Sequence, residues 1–324
     1  MRWDSEMTAL AAGVLAVLVV ATVAGFVLRR LAKSDSARAS LDNLNQRTAS
    51  WWVMSAIFAL SAAVGQTGTM VLFGLISFFA LREFLTLTPT RRSDHRAMLL
   101  AFFVVTPLQY FLLGIEWYGM FSIFIPVYVF LLVPISSALK GDVERFLERT
   151  SEIQWGLMVC VFTISHAPAL LTLKLPGYDG ENAKLLAYLV IVVQASDVLQ
   201  YLFGKTFGRH KVAPRVSPNK TWEGLIGGAA GATLIGTGLW WITPFAVWES
   251  LILSLVIVIM GFFGGLTMSA IKRDRGVKDF GTLIEGHGGM MDRIDSLSFA
   301  APIFFHLTRY YFEGARAFPF SLGP

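Results

Sequence analysis

Apolar runs of about twenty residues recur along the whole chain, and nothing constrains its fold more. The first covers residues 7 to 28, roughly 22 residues, enough to cross the hydrocarbon core of a bilayer. Others lie near 51–65, 68–87, 97–114, 118–139, 153–174, 183–203, 222–243, 249–270 and 296–312. In lipid every backbone N–H and C=O must be satisfied internally, so runs of this length select helices. Only 15% of the residues are charged and 55% are hydrophobic, whereas a soluble domain carries about a quarter charged residues. The expectation is an all-α, polytopic integral membrane protein with about ten transmembrane helices.

The single cysteine, Cys160, rules out a disulfide framework or a cysteine-rich zinc site. A formal charge of +5 without an aromatic-interleaved basic module argues against a nucleic-acid partner. It fits loops that face anionic headgroups. The first run has no basic residues ahead of it beyond Arg2 and is followed at once by Arg29, Arg30 and Lys33. It therefore reads as a retained helix rather than a cleaved signal. Residues 29–50 read as a polar linker on the cytoplasmic side, with room for a helix lying on the membrane surface.

With the N-terminus outside and ten crossings, the inward loops collect 22 of the 27 Lys and Arg residues. That asymmetry follows the positive-inside rule and sets the polar loops 204–221 and 271–295 on the cytoplasmic side. Residues 1–150 read as membrane-anchoring helices with potential oligomer contacts, and 151–324 as the catalytic part. The absence of a transit peptide in this compact chain points to a bacterial inner membrane.

Two stretches break the apolar pattern with chemistry. From Ser269 to Asp295 the chain carries Lys272, Arg273, Arg275, Lys278 and Arg293 beside Asp274, Asp279, Glu285, Asp292 and Asp295. His287 stands between glycines. Cations suit phosphates, carboxylates suit Mg²⁺, and glycines let backbone N–H groups approach an anion. A merely orienting loop needs the bases but not five acids. In the second stretch Asp197 lies within an apolar helix, where a carboxylate is costly, with Gln194 and Gln200 near it. A basic, glycine-bearing segment follows, ending at Ser217, Lys220, Thr221, Trp222 and Glu223. Ser217 or Thr221 is expected to cap the next helix and aim its first N–H groups at phosphate.

These residues resemble the CDP-diacylglycerol synthases, or phosphatidate cytidylyltransferases. The family's C-terminal motif is met by Ser269, Lys272, Arg273, Lys278, Asp279, Gly281, Ile284, Gly286, His287, Gly288, Gly289, Asp292, Arg293 and Asp295. The upstream acid, the Gly204-Lys205 segment and the run from Ser217 to Gly224 also fit its pattern. The likeness covers about residues 190–300. Two departures stand out. Glu285 replaces the family's usual proline, and Asp197 is framed by Ser196 and Val198 rather than the usual neighbours.

The resemblance implies transfer of cytidylyl from CTP to phosphatidate, with Mg²⁺, one ion or two, as cofactor, membrane lipids as surroundings, and room for a homodimer. Asp197, Asp279, Asp292 and Asp295 are the expected metal ligands. Asp292 and Asp295, three apart, would share a helix face. Asp279, Asp292, Lys278 and His287 are the expected catalytic group. Lys205, Ser217, Lys220, Thr221, Lys272, Arg273, Gly288, Gly289 and Arg293 are the expected substrate contacts. The altered frame of Asp197 leaves another lipid phosphate open as acceptor, such as an isoprenoid phosphate or an ether lipid. A transporter would call for internal repeats and charges in both halves, and the acids gather in one.

Overall fold

The computed structural model describes residues 4–32, 34–283 and 288–313. Ten long helical segments account for most of them: α1 (Ser5–Leu31), α2 (Asp35–Val64), α3 (Gln66–Thr86), α4 (Arg92–Gly114), α5 (Tyr118–Ala138), α6 (Phe146–Thr172), α7 (Ala183–Phe207), α8 (Trp222–Gly238), α9 (Val247–Asp274) and α10 (Met291–Thr308). Seven of these, α1, α3, α4, α5, α6, α7 and α9, are long and apolar enough to cross a membrane. The other three fall short on length or composition. α2 has a polar first half, α8 has 17 residues, and α10 opens on charged groups.

The expected linker 29–50 is mostly helical. No glycine or proline interrupts Asp35–Val64, so nothing stops the helix until Gly65, whose φ of +96° turns the chain into α3. α1 and α2 pack as a pair, joined by the Arg29–Asp42 ion pair and by Trp52 Nε1 donating to Thr22 Oγ1 at 3.0 Å. The expected polar loop 204–221 is also more ordered than its composition suggests. α7 runs on to Phe207, and the rest forms an antiparallel hairpin, β1 (Lys211–Ala213) with β2 (Ser217–Thr221). Glu223 on α8 closes its base, accepting from the backbone N–H of Arg209 (3.0 Å) and of His210 (3.1 Å).

α7 and α8 meet backbone to backbone. A Cβ placed on Gly228 would lie 2.6 Å from the Gln200 backbone nitrogen, and one on Gly224 would lie 2.8 Å from the Gln200 carbonyl oxygen. Glycines four apart on α8 make this approach available, as small residues do between membrane helices. α10 lies in the centre of the bundle against α3, α6, α7 and α9. The Tyr188 ring of α7 stacks on Phe304 of α10 at 5.8 Å, and its hydroxyl donates to the Ser250 carbonyl of α9 at 3.1 Å. The bundle thus fixes α7, α9 and α10 side by side, with the hairpin at one end.

Candidate active site

The two polar stretches, separated by 45 residues of sequence, converge at the hairpin end of the bundle. Ser296 Oγ on α10 donates to Asp197 Oδ1 on α7 at 3.0 Å. Asp197 also feels the charges of Asp295, Lys220 and Arg293. Lys220, at the end of β2, reaches α9, where its Nζ donates to the Phe262 carbonyl at 3.1 Å and lies 4.6 Å from the Phe262 ring centroid. Burial pulls the Lys220 ammonium below its ordinary value, with the charges of Asp295 and Asp197 acting against that shift.

Lys272 near the end of α9 pairs with Asp292 on α10 at 2.7 Å. Asp292 does more than neutralise it. Its Oδ2 accepts from the backbone N–H of Phe280 (2.8 Å) and of Gly289 (3.0 Å). One carboxylate therefore ties both described ends of the segment between α9 and α10 to the first turn of α10. Gly288 makes this closure at φ +79°, and a Cβ there would lie 2.9 Å from Asp292 Oδ2.

A carboxylate from the other half of the chain completes the arrangement. Glu83 on α3 accepts from the backbone N–H of Met290 and of Met291, each at 2.9 Å. It thus places a negative charge at the positive N-terminal end of α10. Sequence reasoning missed Glu83. The signal was present, because an acid inside the run 68–87 meets the same criterion that singled out Asp197.

Of the other expected contacts, Thr221 is buried and caps α8, its Oγ1 accepting from the Gly224 N–H at 3.1 Å. Of the two caps left open by the sequence, Thr221 is the one used. Ser217 lies on β2, half-buried. Lys205 falls in the last turn of α7 rather than in a loop, exposed and over the Tyr201 ring. Arg273 is exposed and donates to the Val277 carbonyl. Lys278 and Asp279 are exposed, with the Asp279 Cβ 3.3 Å from where a Gly288 Cβ would sit. Gly289 is buried, and Arg293 is half-buried beside Asp197. His287, with Ile284, Glu285 and Gly286, lies outside the described residues.

The donor set fits Mg²⁺, which takes a few carboxylate oxygens and shares the rest with phosphate and water. Asp197 and Asp295 feel each other's charge and offer hard oxygens, while both oxygens of Asp292 are taken by Lys272, Phe280 and Gly289, so Asp292 would join an ion only by giving up one of these partners. A Cβ on Gly265 would lie 2.9 Å from Lys220 Nζ and 3.8 Å from Asp295 Oδ2, so the missing side chain keeps a space between lysine and acid. A second group of acids, Asp4, Glu6 and Glu181, sits at the start of α7, far along that helix from Asp197. Lys184 fills its centre, paired with all three.

Comparison with known proteins gives the family. Residues 45–311 match the model of the cytidylyltransferase family. An uncharacterized protein of Escherichia coli K12, YnbB, is 40% identical over 92% of this chain and 97% of its own length. The phosphatidate cytidylyltransferase of Haemophilus influenzae is 44% identical over 46% of this chain, which covers 54% of that enzyme. The Mycobacterium leprae enzyme of the same name is 44% identical over 37% of this chain and 39% of its own. The match to the family model takes in the acids of α7 and α10, the hairpin lysine and the Lys272–Asp292 pair, and the chain is an integral membrane member of the cytidylyltransferase family.

Proposed function

We propose that this protein transfers the cytidylyl group of CTP to phosphatidate, releasing pyrophosphate and forming CDP-diacylglycerol. The observation that carries the reading is the gathering of Asp197, Lys220, Lys272, Asp292 and Asp295 at one end of a membrane bundle. A water-soluble nucleotide and a membrane lipid can meet there. The names of the Haemophilus and Mycobacterium relatives support it.

The chemistry asks little of a general base. A phosphate monoester loses its second proton near pH ~6, so its oxygen attacks the α-phosphorus already ionised. The new P–O bond forms as the bond to the β-phosphate oxygen breaks, and the electron pair leaves on pyrophosphate. The protein must hold the two partners in line and balance charge. Lys220 and Lys272 would take phosphate oxygens, while Asp197, Asp292 and Asp295 would hold Mg²⁺. When bound, the ion supplies neutralisation of the phosphates. Asp292 and Glu83 hold the backbone of Phe280 and of Gly289 to Met291 in place at the start of α10.

In this reading ten helices cross a bacterial inner membrane, the N-terminus lies outside and the site faces the cytoplasm, where CTP is found. Residues 151–324 carry the chemistry, with Glu83 as a contribution from the anchoring half. A second reading keeps the reaction and changes the acceptor to another lipid phosphate. It is favoured by one observation: the relative matched along nearly its whole length is uncharacterized, while the named phosphatidate enzymes match less than half of this chain.

The test is CDP-lipid formation by purified protein in detergent, given radiolabelled CTP, Mg²⁺ and phosphatidate. Labelled CDP-diacylglycerol supports the first reading. Product only from another lipid phosphate moves the assignment to that acceptor, and no product from any acceptor by folded protein overturns both.

A further inference from the structure

Between Val198 and Trp222 the chain holds five basic residues and no acid. Lys220 turns inward to the Phe262 carbonyl, and the other four, Lys205, Arg209, Lys211 and Arg215, are exposed. Among the described residues none of these four pairs with an acid, and Lys205 Nζ lies over the Tyr201 ring, 5.9 Å from its centroid. Several arginines elsewhere are neutralised: Arg29 by Asp42, Arg91 by Asp142 and Glu144, Arg145 by Glu148 and Arg275 by Glu152. Glu223, the first acid after the run, is engaged at the base of the hairpin by the backbone N–H groups of Arg209 and His210 and by the His210 ring.

The depth of this patch is set by the two helices that carry it. α7 presents Val198, Leu202 and Phe207 as exposed side chains, and α8 presents Ile226 and Leu234. On helices of a membrane bundle such faces meet lipid. Tyr201 in the last two turns of α7 and Trp222 in the first turn of α8 are 60% and 48% exposed. Exposed Tyr and Trp at the ends of membrane helices mark the level of the headgroups. Lys205 lying over Tyr201 suits a side chain that reaches from that level toward water. The hairpin begins where the apolar faces stop, so its cations sit at the height of lipid phosphates.

A cationic surface at that height complements anionic headgroups, and each basic residue near such a surface adds to the attraction. We propose that the hairpin face bearing Lys205, Arg209, Lys211 and Arg215 is a docking surface for the anionic phospholipids of the bilayer around the protein. A polyanion arriving from the water would have no use for the apolar collar below the charges. A phospholipid brings both a phosphate for the cations and chains for Leu202 and Ile226. Docking also reaches the candidate site through main chain. Lys211 pairs in register with Thr221, which caps α8, and Lys220 precedes Thr221 on the same strand. A headgroup that holds the hairpin therefore holds the backbone that presents Lys220, whichever lipid phosphate is the acceptor.

The single cysteine, Cys160, is buried, so an added surface cysteine can be labelled selectively. Asn219→Cys places a fluorophore at an exposed position of β2. The full-length protein is reconstituted in phosphatidylcholine vesicles with a small fraction of lipid spin-labelled near the headgroup, either phosphatidylglycerol or phosphatidylcholine. Quenching then reports which lipid lies beside the hairpin. At low salt the anionic label is expected to be enriched about fivefold over the neutral one, the scale of a single basic residue at an anionic surface. The preference should vanish at about 1 M NaCl, where the Debye length is about 3 Å. Arg209→Gln, Lys211→Gln and Arg215→Gln made together should abolish it at low salt. Removing three exposed charges elsewhere, by Arg92→Gln, Arg96→Gln and Lys140→Gln, should leave it as it was.

Absence of quenching by either label places the hairpin away from the headgroups and overturns the proposal. So does equal quenching by both, a preference that survives in the triple hairpin variant, or a preference lost equally when the charges of Arg92, Arg96 and Lys140 are removed. If the hairpin variant fails to fold, the salt series on the charged protein still decides, because a preference unchanged at high salt is not electrostatic. The readout needs neither nucleotide nor turnover, so the docking surface and the cytidylyl transfer stand or fall separately.

Discussion

Lys272 and Asp292 join α9 to α10 through an ion pair of 2.7 Å in which the side chains are only 12% and 4% exposed. Neither charge can be removed alone without stranding the other in a poorly hydrated place. Asp292→Asn is expected to lower stability by about 3–5 kcal/mol and product formation by about a hundredfold. The double variant Lys272→Met, Asp292→Asn keeps a side-chain oxygen for the Phe280 and Gly289 N–H groups and should recover part of the stability and none of the activity. Thermal unfolding in detergent, paired with the CDP-lipid assay, separates the two effects. Full activity in the double variant would remove the pair from the site.

Glu83 holds two N–H groups that the first turn of α10 cannot satisfy itself. Glu83→Ala should cost about 0.5–2 kcal/mol, the range for lost helix caps, and should speed amide hydrogen exchange at Met290 and Met291. Product formation should fall about tenfold as the start of α10 loosens. Exchange at those two amides equal to wild type would show that α3 does not hold this segment.

Gly265 leaves room for Lys220 Nζ. The Cβ of Gly265→Ala would arrive 2.9 Å from that nitrogen, closer than real contacts permit, and the ammonium at the tip of a long side chain is what will move. Activity should drop about tenfold to a hundredfold, the scale expected when a reacting partner shifts by an ångström. Melting temperature should stay near wild type. A variant with unchanged kcat and KM would place the working position of Lys220 elsewhere.

Between α5 and α6, Asp142 accepts from Arg149 Nη1 at 2.9 Å and from Ser93 Oγ at 2.8 Å. The Arg149 guanidinium first, and then the Ser93 hydroxyl, hold this carboxyl well below its ordinary value of 3.8. A carboxylate depressed in the folded state adds stability that is complete above that ordinary value and is lost as pH falls through the folded one. The melting temperature of Asp142→Asn should therefore lie below wild type at neutral pH, with a gap that narrows below about pH 4. A gap that stays constant down to pH 2 would contradict the pairing.

The helices were legible because lipid leaves a chain few choices, and most apolar runs map onto a helix within a few residues at each end. What stood outside that logic was less visible. The helix over residues 35–50 has no apolar run to announce it, only the absence of breakers. The hairpin strands are 3 and 5 residues long, set among Gly208, Pro214 and Pro218, which read as loop.

In the site, Asp197 and Asp292 stood out as charges amid apolar or glycine-rich surroundings. Glu83 escaped because it follows Arg82 near the end of its run, where a charged pair looks like an interfacial anchor. Which helices would be neighbours was not legible at all. Periodicity marks an apolar face without naming its partner, so Glu83 meeting Met290 and Glu152 meeting Arg275 could be seen only in three dimensions.

The contact of α7 with α8 has one more consequence. Because main chain meets main chain at Gln200, Gly224 and Gly228, the spacing between the acid on one helix and the lysine that enters the other is set by a ruler with no side chains in it. The outward faces of the same two helices, with Val198, Tyr201, Leu202, Ile226 and Leu234 exposed, can be repainted for a different lipid environment while that ruler keeps its length. A protein built this way can change its greasy coat freely and still carry the same instrument inside.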